Sequence, residues 1–239
     1  VLDSGAYSAA TSGASIDLQK YIDDCHALLL APKPPCKIFA LDVIGDPEKS
    51  ARNTEEMRRQ GINAVGTFHY GSPWHYLKDV VKPGVCAFGG LVQRGKGGHG
   101  TKLQVHARLR FLEECFSRAW PFWAHGFGCC DPKILSRFPL ASADSTTWIY
   151  GLQRYGHMQY LKMNNSGLRH SVQPKAFASA VKGQINFYRK MERTAQEKWS
   201  PLFRKIGFGD FRLRFVVSSK ADRVRFDSYN QGALQCVPS

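Results

Sequence analysis

Apolar residues come in short runs, and each run is followed by a stretch of helical spacing. The first helix is expected from Ile16 to Leu30, with Leu18, Tyr21, Ile22, Cys25 and Leu29 on one face and Pro32, Pro34 and Pro35 ending it. A strand over 37–44 ends in Asp42, and a polar helix spans 47–60 with Gly61 as its stop. A strand at 62–69 precedes a helix at 74–81. A strand at 85–92 is followed by the glycine-rich, basic loop 93–100. The long helix 102–120 turns Leu109, Leu112, Phe116 and Ala119 inward. A strand at 122–125, a short helix at 131–138 and a strand at 140–144 continue the alternation. Beyond them the pattern predicts a hairpin over 159–171, a helix over 174–199 and a strand over 211–217.

Strand alternating with helix predicts an α/β fold: a parallel sheet covered by helices. The number of strand ends before residue 145 and the size of the chain favour a TIM-like (β/α) barrel, with a helical and partly β C-terminal appendage. The dinucleotide-binding alternative would require a G-x-G-x-x-G turn after the first strand, where this chain has Ser4-Gly5-Ala6. The expected barrel domain spans 1–199, its first strand lying upstream of Val1, and a basic extension spans 200–239.

Composition narrows the partner. With 33 Lys and Arg against 19 Asp and Glu, the formal net charge is +14, which favours a polyanion, nucleic acid before an anionic membrane. No apolar run is long enough to span a bilayer, and no signal peptide is visible. The seven cysteines are odd in number, scattered, and show no C-x-x-C spacing, so neither a disulfide framework nor a zinc site is expected and a cytoplasmic location is.

The predicted strand ends carry Asp3, Asp42, His69, Gly89-Gly90, His125-Gly126 and Asp144. In a barrel these ends meet on one face. A single Asp at such an end is ordinarily a helix cap or turn former. Three carboxylates with two imidazoles suit glycosidic chemistry, in which one carboxylate attacks the anomeric carbon and another moves the proton. A metal-dependent hydrolase is the other possibility, although no clustered ligand pair such as H-x-H is present.

Together these segments resemble the tRNA-guanine transglycosylase superfamily. Asp3-Ser4-Gly5-Ala6-Tyr7 is similar to its D-S-G-G-F/Y motif. Leu41-Asp42 resembles its acidic strand end, and Phe68-His69-Tyr70-Gly71 stands where the family has V-Q-G-G. Phe88-Gly89-Gly90-Leu91 resembles its G-G-L turn, and His125-Gly126-Phe127-Gly128 its M-G-V-G segment. Ala143-Asp144-Ser145 matches the nucleophile strand, and Gln184-Ile185-Asn186-Phe187-Tyr188 the late N-x-x-F-Y helix. The wording is most similar to the phage, DpdA-type branch, DNA transglycosylases that insert 7-deazaguanine derivatives.

The resemblance implies that Asp144 is the nucleophile and Asp3 the general acid/base. It implies that Asp42, His69, Gly89, Gly90 and Ser4 bind the base and that Tyr7 and His125 sandwich it. The family's C-x-C-x-x-C…H zinc motif is missing, so no zinc subdomain, metal or other cofactor is expected, and DNA becomes a more natural polymer than tRNA. Arg94, Lys96, Arg204, Lys205, Arg212, Arg214, Arg223 and Arg225 are candidate phosphate contacts. A tRNA-guanine transglycosylase, a base-releasing nucleic-acid glycosidase and a non-catalytic nucleic-acid-binding partner subunit are the alternative functions.

Overall fold

The computed structural model of the chain describes residues 1–94, 100–102, 104–144, 174–208 and 214–216. The expected hairpin at 159–171, Lys96, Arg212, Arg223, Arg225 and the side chains of Arg94 and Arg214 lie outside that description.

The protein is mixed α/β with parallel sheets. After Leu2 come α1 (Ala6–Ser12), α2 (Leu18–Leu29), β1 (Ile38–Phe39) and α3 (Pro47–Arg59). Then follow β2 (Ala64–Val65), β3 (Thr67–His69), α4 (His75–Val81), β4 (Val85–Gly89), β5 (Val92–Arg94) and β6 (Gly100–Lys102). The remainder is α5 (Val105–Ala119), β7 (Trp123–Gly126), α6 (Pro132–Arg137), β8 (Leu140–Asp144), α7 (Pro174–Lys205) and β9 (Arg214–Val216).

Leu2 bridges Ile38 in parallel, β1 pairs with β2, and β3-β4-β7-β8-β9 form a parallel sheet in that order. β2 and β3 are halves of one extended segment. Val65 O accepts from Ala40 N on one side, and Gly66 O accepts from Ala87 N on the other, both at 2.9 Å. The one antiparallel pair among the described strands is the β5–β6 ribbon, where the sequence pattern had predicted a loop.

Alternate residues along these strands face opposite ways, as the two-residue period of a strand requires. One set packs under helices: Ile38 and Ala64 join Ile22, Cys25 and Met57, while Phe68, Cys86, Phe88, Ala124 and Leu140 join Phe111, Leu112 and Ile134. Burying a side chain of the size of Phe88 contributes roughly 1.5–3 kcal/mol, so this helix-covered face supplies most of the stabilisation.

The other set (Phe39, Val65, Ala87) forms a small separate cluster on the inner face. There the Phe39 ring meets the His125 ring with centroids 4.7 Å apart. Their strands are three steps apart in the pairing order, which in a flat sheet would hold the rings about 14 Å apart. The sheet is therefore strongly curled about this inner face.

Two expectations are sharpened and one needs correction. On the polar helix α3, Ser50, Asn53, Thr54 and Met57 are buried along its inner stripe. On α5 Leu112 is buried and Leu109, Phe116 and Ala119 pack against the core as expected, but the inward face is wider and also buries Arg108, Phe111 and Cys115. The boundary expected at 199/200 falls inside α7, whose Phe203 is fully buried in the main core, and β9 pairs with β8.

Candidate functional site

The chemistry-bearing residues lie where the parallel strands end. Leu2 passes directly into Asp3, β1 runs on to Asp42, and His69, Gly89, Gly126 and Asp144 are the last residues of β3, β4, β7 and β8. Parallel pairing puts these ends on one edge of the sheet.

Asp42 is the hub of the first cluster. Its Oδ1 accepts from Ser4 Oγ at 3.1 Å. Its Oδ2 lies 2.7 Å from His69 Nε2, a close contact that is out of line for a hydrogen bond. Asp42 stands three residues beyond the end of β1, on backbone clamped by α3. Asn53 Nδ2 donates to Leu41 O at 2.9 Å, and Val43 N donates to Ser50 Oγ at 2.8 Å. Ser50 and Asn53 are thus positioning residues that the sequence reading missed. The signal was present as the helical spacing Ser50, Asn53, Thr54, Met57, but small polar side chains do not register as a buried stripe.

The glycines at β4 make room. A Cβ at Gly89 would stand 2.8 Å from the His69 ring, and Gly90 combines φ +71° with 2.9 Å from such a Cβ to Tyr70 N. Only a residue without a side chain lets the imidazole lie flat on this backbone.

Asp3 sits beside Asp42 and accepts from Gly5 N at 3.4 Å. Its side chain is exposed at the open edge of the sheet. Loss of hydration raises its carboxyl pKa, Asp42 raises it further, and the Gly5 and Ser4 N–H groups oppose the shift. A carboxyl whose folded pKa is raised contributes most to stability at low pH, and loses that contribution as pH rises through the folded pKa. Asp3→Asn should therefore raise Tm more at pH 7 than at pH 4. Thermal melts at the two pH values check this, and an equal or reversed difference would show that Asp3 carries no such strain.

Asp144, at the end of β8, accepts from Gly128 N at 2.6 Å. That amide belongs to the turn between β7 and α6, which Asp131 secures. Asp131 caps α6 through Lys133 N at 3.0 Å and pairs with the buried Arg108 at 3.1 Å. Arg108 was not anticipated, because nothing in a helical arginine announces a partner 23 residues away.

His125 does not reach the edge. It is 4% exposed, lies between the rings of Phe39 and Phe127, and shares a hydrogen bond of 2.8 Å with Ser142. Its expected place in a sandwich around a base is thus filled by two phenylalanines. Burial pushes its pKa down to about 3.

A histidine that stays neutral in the fold but charges when unfolded stabilises the fold above its ordinary pKa of about 6.5, and this contribution is lost as pH falls toward the folded value. Between pH 7 and pH 5 the expected loss is about 2 kcal/mol. Urea titrations of His125→Gln should show a visibly flatter stability profile over that range. An unchanged slope would mean that other groups carry the acid sensitivity. Tyr7, by contrast, is exposed on α1, four residues from Asp3, and remains available at the edge.

Two further inner-face atoms, Thr67 Oγ1 and His125 Nε2, are buried without a hydrogen-bond partner among the described residues. The inner face is accordingly polar near its open edge and apolar around Phe39. Among the described residues no group of His, Cys, Asp and Glu is arranged to hold a metal, and no helix is long and apolar enough to cross a membrane.

Fold and site thus define a parallel α/β protein that gathers carboxylates and an imidazole at the carboxyl edge of a curled sheet. Compared with protein-family models, curated proteins and solved structures, the chain matches none.

Proposed function

We propose that this chain is a base-exchanging transglycosylase of the tRNA-guanine transglycosylase superfamily, built on a (β/α) barrel and acting on DNA. The observation that carries the reading is the linked group Asp3, Ser4, Asp42 and His69 on the same sheet edge as Asp144. Supporting the barrel is the pairing order. Each parallel strand lies beside the next one in sequence from Leu2 to β9, whereas an open doubly wound sheet reverses direction once. The contact of Phe39 with His125 across the inner face argues the same way.

In this reading the Asp144 carboxylate attacks C1′ of a guanosine nucleotide, and the bond from C1′ to the base breaks with its electron pair leaving on guanine. Asp3, whose raised pKa suits a proton carrier, donates a proton to the departing base. The sugar is then held as an ester of Asp144. An incoming 7-deazaguanine derivative gives a proton to Asp3 and attacks C1′, and Asp144 leaves as carboxylate.

Asp42 is an acceptor suited to the ring N–H and amino group of a guanine edge. His69 now occupies one of its oxygens, so the base would take that place and release the imidazole toward the carbonyl. The target nucleotide must leave its stack to reach the edge.

The test is incorporation of labelled guanine or 7-deazaguanine into single-stranded DNA, duplex DNA and tRNA. Incorporation into DNA that is lost in Asp144→Ala supports the proposal. Incorporation into tRNA alone would replace DNA as the polymer, and abasic sites without incorporation would make the chain a glycosidase. No reaction with any polymer would overturn the reading.

A further inference from the structure

Beside the catalytic edge, on the outer side of β3, lies a groove of about 440 Å³ between the β3–α4 turn and α5. Its walls are Tyr70 and Trp74, 39% and 37% exposed, and its floor is the buried Phe111 ring. Aromatics exposed singly are ordinary, but here two share one concavity with a third.

The walls are set in place. Trp74 packs on Phe68 at 5.5 Å, and Tyr70 meets Phe111 edge-on at 5.5 Å. The Arg118 guanidinium lies over the indole at 4.7 Å and is itself held by Glu114 at 2.6 Å. The Glu114 charge is thereby matched within the protein. Arg110, which also lines the groove, has no ion-pair partner among the described residues. The groove therefore offers the exposed Tyr70 ring, the part of the Trp74 indole that Arg118 and Phe68 leave uncovered, and one uncompensated cation on a chain of net charge +14. A phosphate-linked aromatic ring complements that combination, and an acidic but non-aromatic peptide does not.

We propose that this groove binds an unstacked nucleobase of single-stranded nucleic acid, stacked on the Tyr70 ring and abutting the exposed edge of Trp74, with an adjacent phosphate on Arg110. Tyr70 follows His69 directly in the chain and donates its N–H to Gly89 O at 3.0 Å, so the groove shares a wall with the catalytic edge. A strand whose target base enters the edge would lay a neighbouring base here. The inference rests on nucleic acid being the polymer of the proposed function, and does not need the exchange reaction.

The experiment is fluorescence-anisotropy titration of the full chain with a labelled single-stranded 15-mer and its duplex, at two salt concentrations. Trp74→Ala and Tyr70→Ala should each weaken single-strand binding about tenfold, with much less effect on duplex. Trp74→Phe should retain most of the affinity. Arg110→Glu, a surface change that leaves the aromatic packing intact, should weaken binding several-fold and lower the salt dependence by about one phosphate contact.

Thermal melts of each variant separate a folding defect from a binding defect. Single-strand affinity that is unchanged in Tyr70→Ala and Arg110→Glu overturns the proposal. So does a Trp74→Ala protein that melts earlier but binds normally, which would make the groove an internal packing surface. If wild type exchanges no base yet binds single strands through Trp74, the groove stands and the enzymatic reading falls. If exchange occurs and binding ignores the groove, only the groove falls.

Discussion

Asp144→Asn should abolish base exchange, with a loss on the order of 10⁴-fold or more, while the fold remains as stable as wild type. The carboxylate is the proposed attacking group, and an amide cannot form the glycosyl ester. The hydrogen bond to the turn survives the change, because the amide oxygen can still accept from Gly128 N, now at 2.6 Å from Asp144 Oδ1. Asp144→Ala removes both functions, so the pair of variants separates chemistry from the anchoring of the turn. Trapping is the more specific readout: wild-type protein mixed with guanine-containing DNA should yield a covalent adduct on denaturing gels, and Asp144→Asn none. An adduct of undiminished yield in the variant would place the nucleophile elsewhere.

Asp131→Ala should cost about 3–4 kcal/mol of stability, the largest effect expected from a residue outside the chemistry. Two losses combine. The N-cap of α6 disappears, typically about 1 kcal/mol, and the 3%-exposed Arg108 loses its carboxylate. Removing one member of a buried pair typically costs about 3–5 kcal/mol, but Asp131 is 21% exposed and water screens part of that. For a chain of this size the sum lowers Tm by roughly 6–16 °C.

Asp131→Asn keeps the cap and loses only the charge, so it should fall between wild type and Asp131→Ala. Arg108→Met should cost less than either, because the carboxylate it leaves behind can hydrate. Urea titrations of the three variants give the order, and Arg108→Met as the worst of them would refute the account. Because Asp131 secures the turn that carries Gly128, Asp131→Ala should also blunt any activity that depends on Asp144.

The local parts of the design were readable in the chain. β8 spans Leu140–Asp144 as the alternation predicts, α6 starts at its Asp131 cap, and α3 begins at Pro47 behind Asp46. Each depends on contacts within a few residues, where periodicity and capping chemistry act. The edge positions His69 and Asp144 were legible for the same reason, since each is the last residue of its strand, whereas Asp42 lies three residues beyond β1 and is held by α3.

What the linear order did not carry depends on partners far away in the chain. His125 was expected at a strand end, but its surroundings on the inner face come from Phe39, 86 positions earlier, and Ser142. The polar stripe of α3 becomes interior because the backbone around Asp42 supplies its hydrogen bonds, and Arg108 turns inward because Asp131 arrives beside it.

The hydrophobic and polar periodicities were sufficient to place α2 to α6 and the main parallel strands, which depend on short-range sterics and solvation, but not α1 or the β5–β6 ribbon. The curl of the sheet, the neutral buried imidazole, the clamp on Asp42 and the aromatic groove required the assembled fold. Burial and electrostatic pairing are properties of neighbours in space, and spatial neighbours here are commonly tens of residues apart.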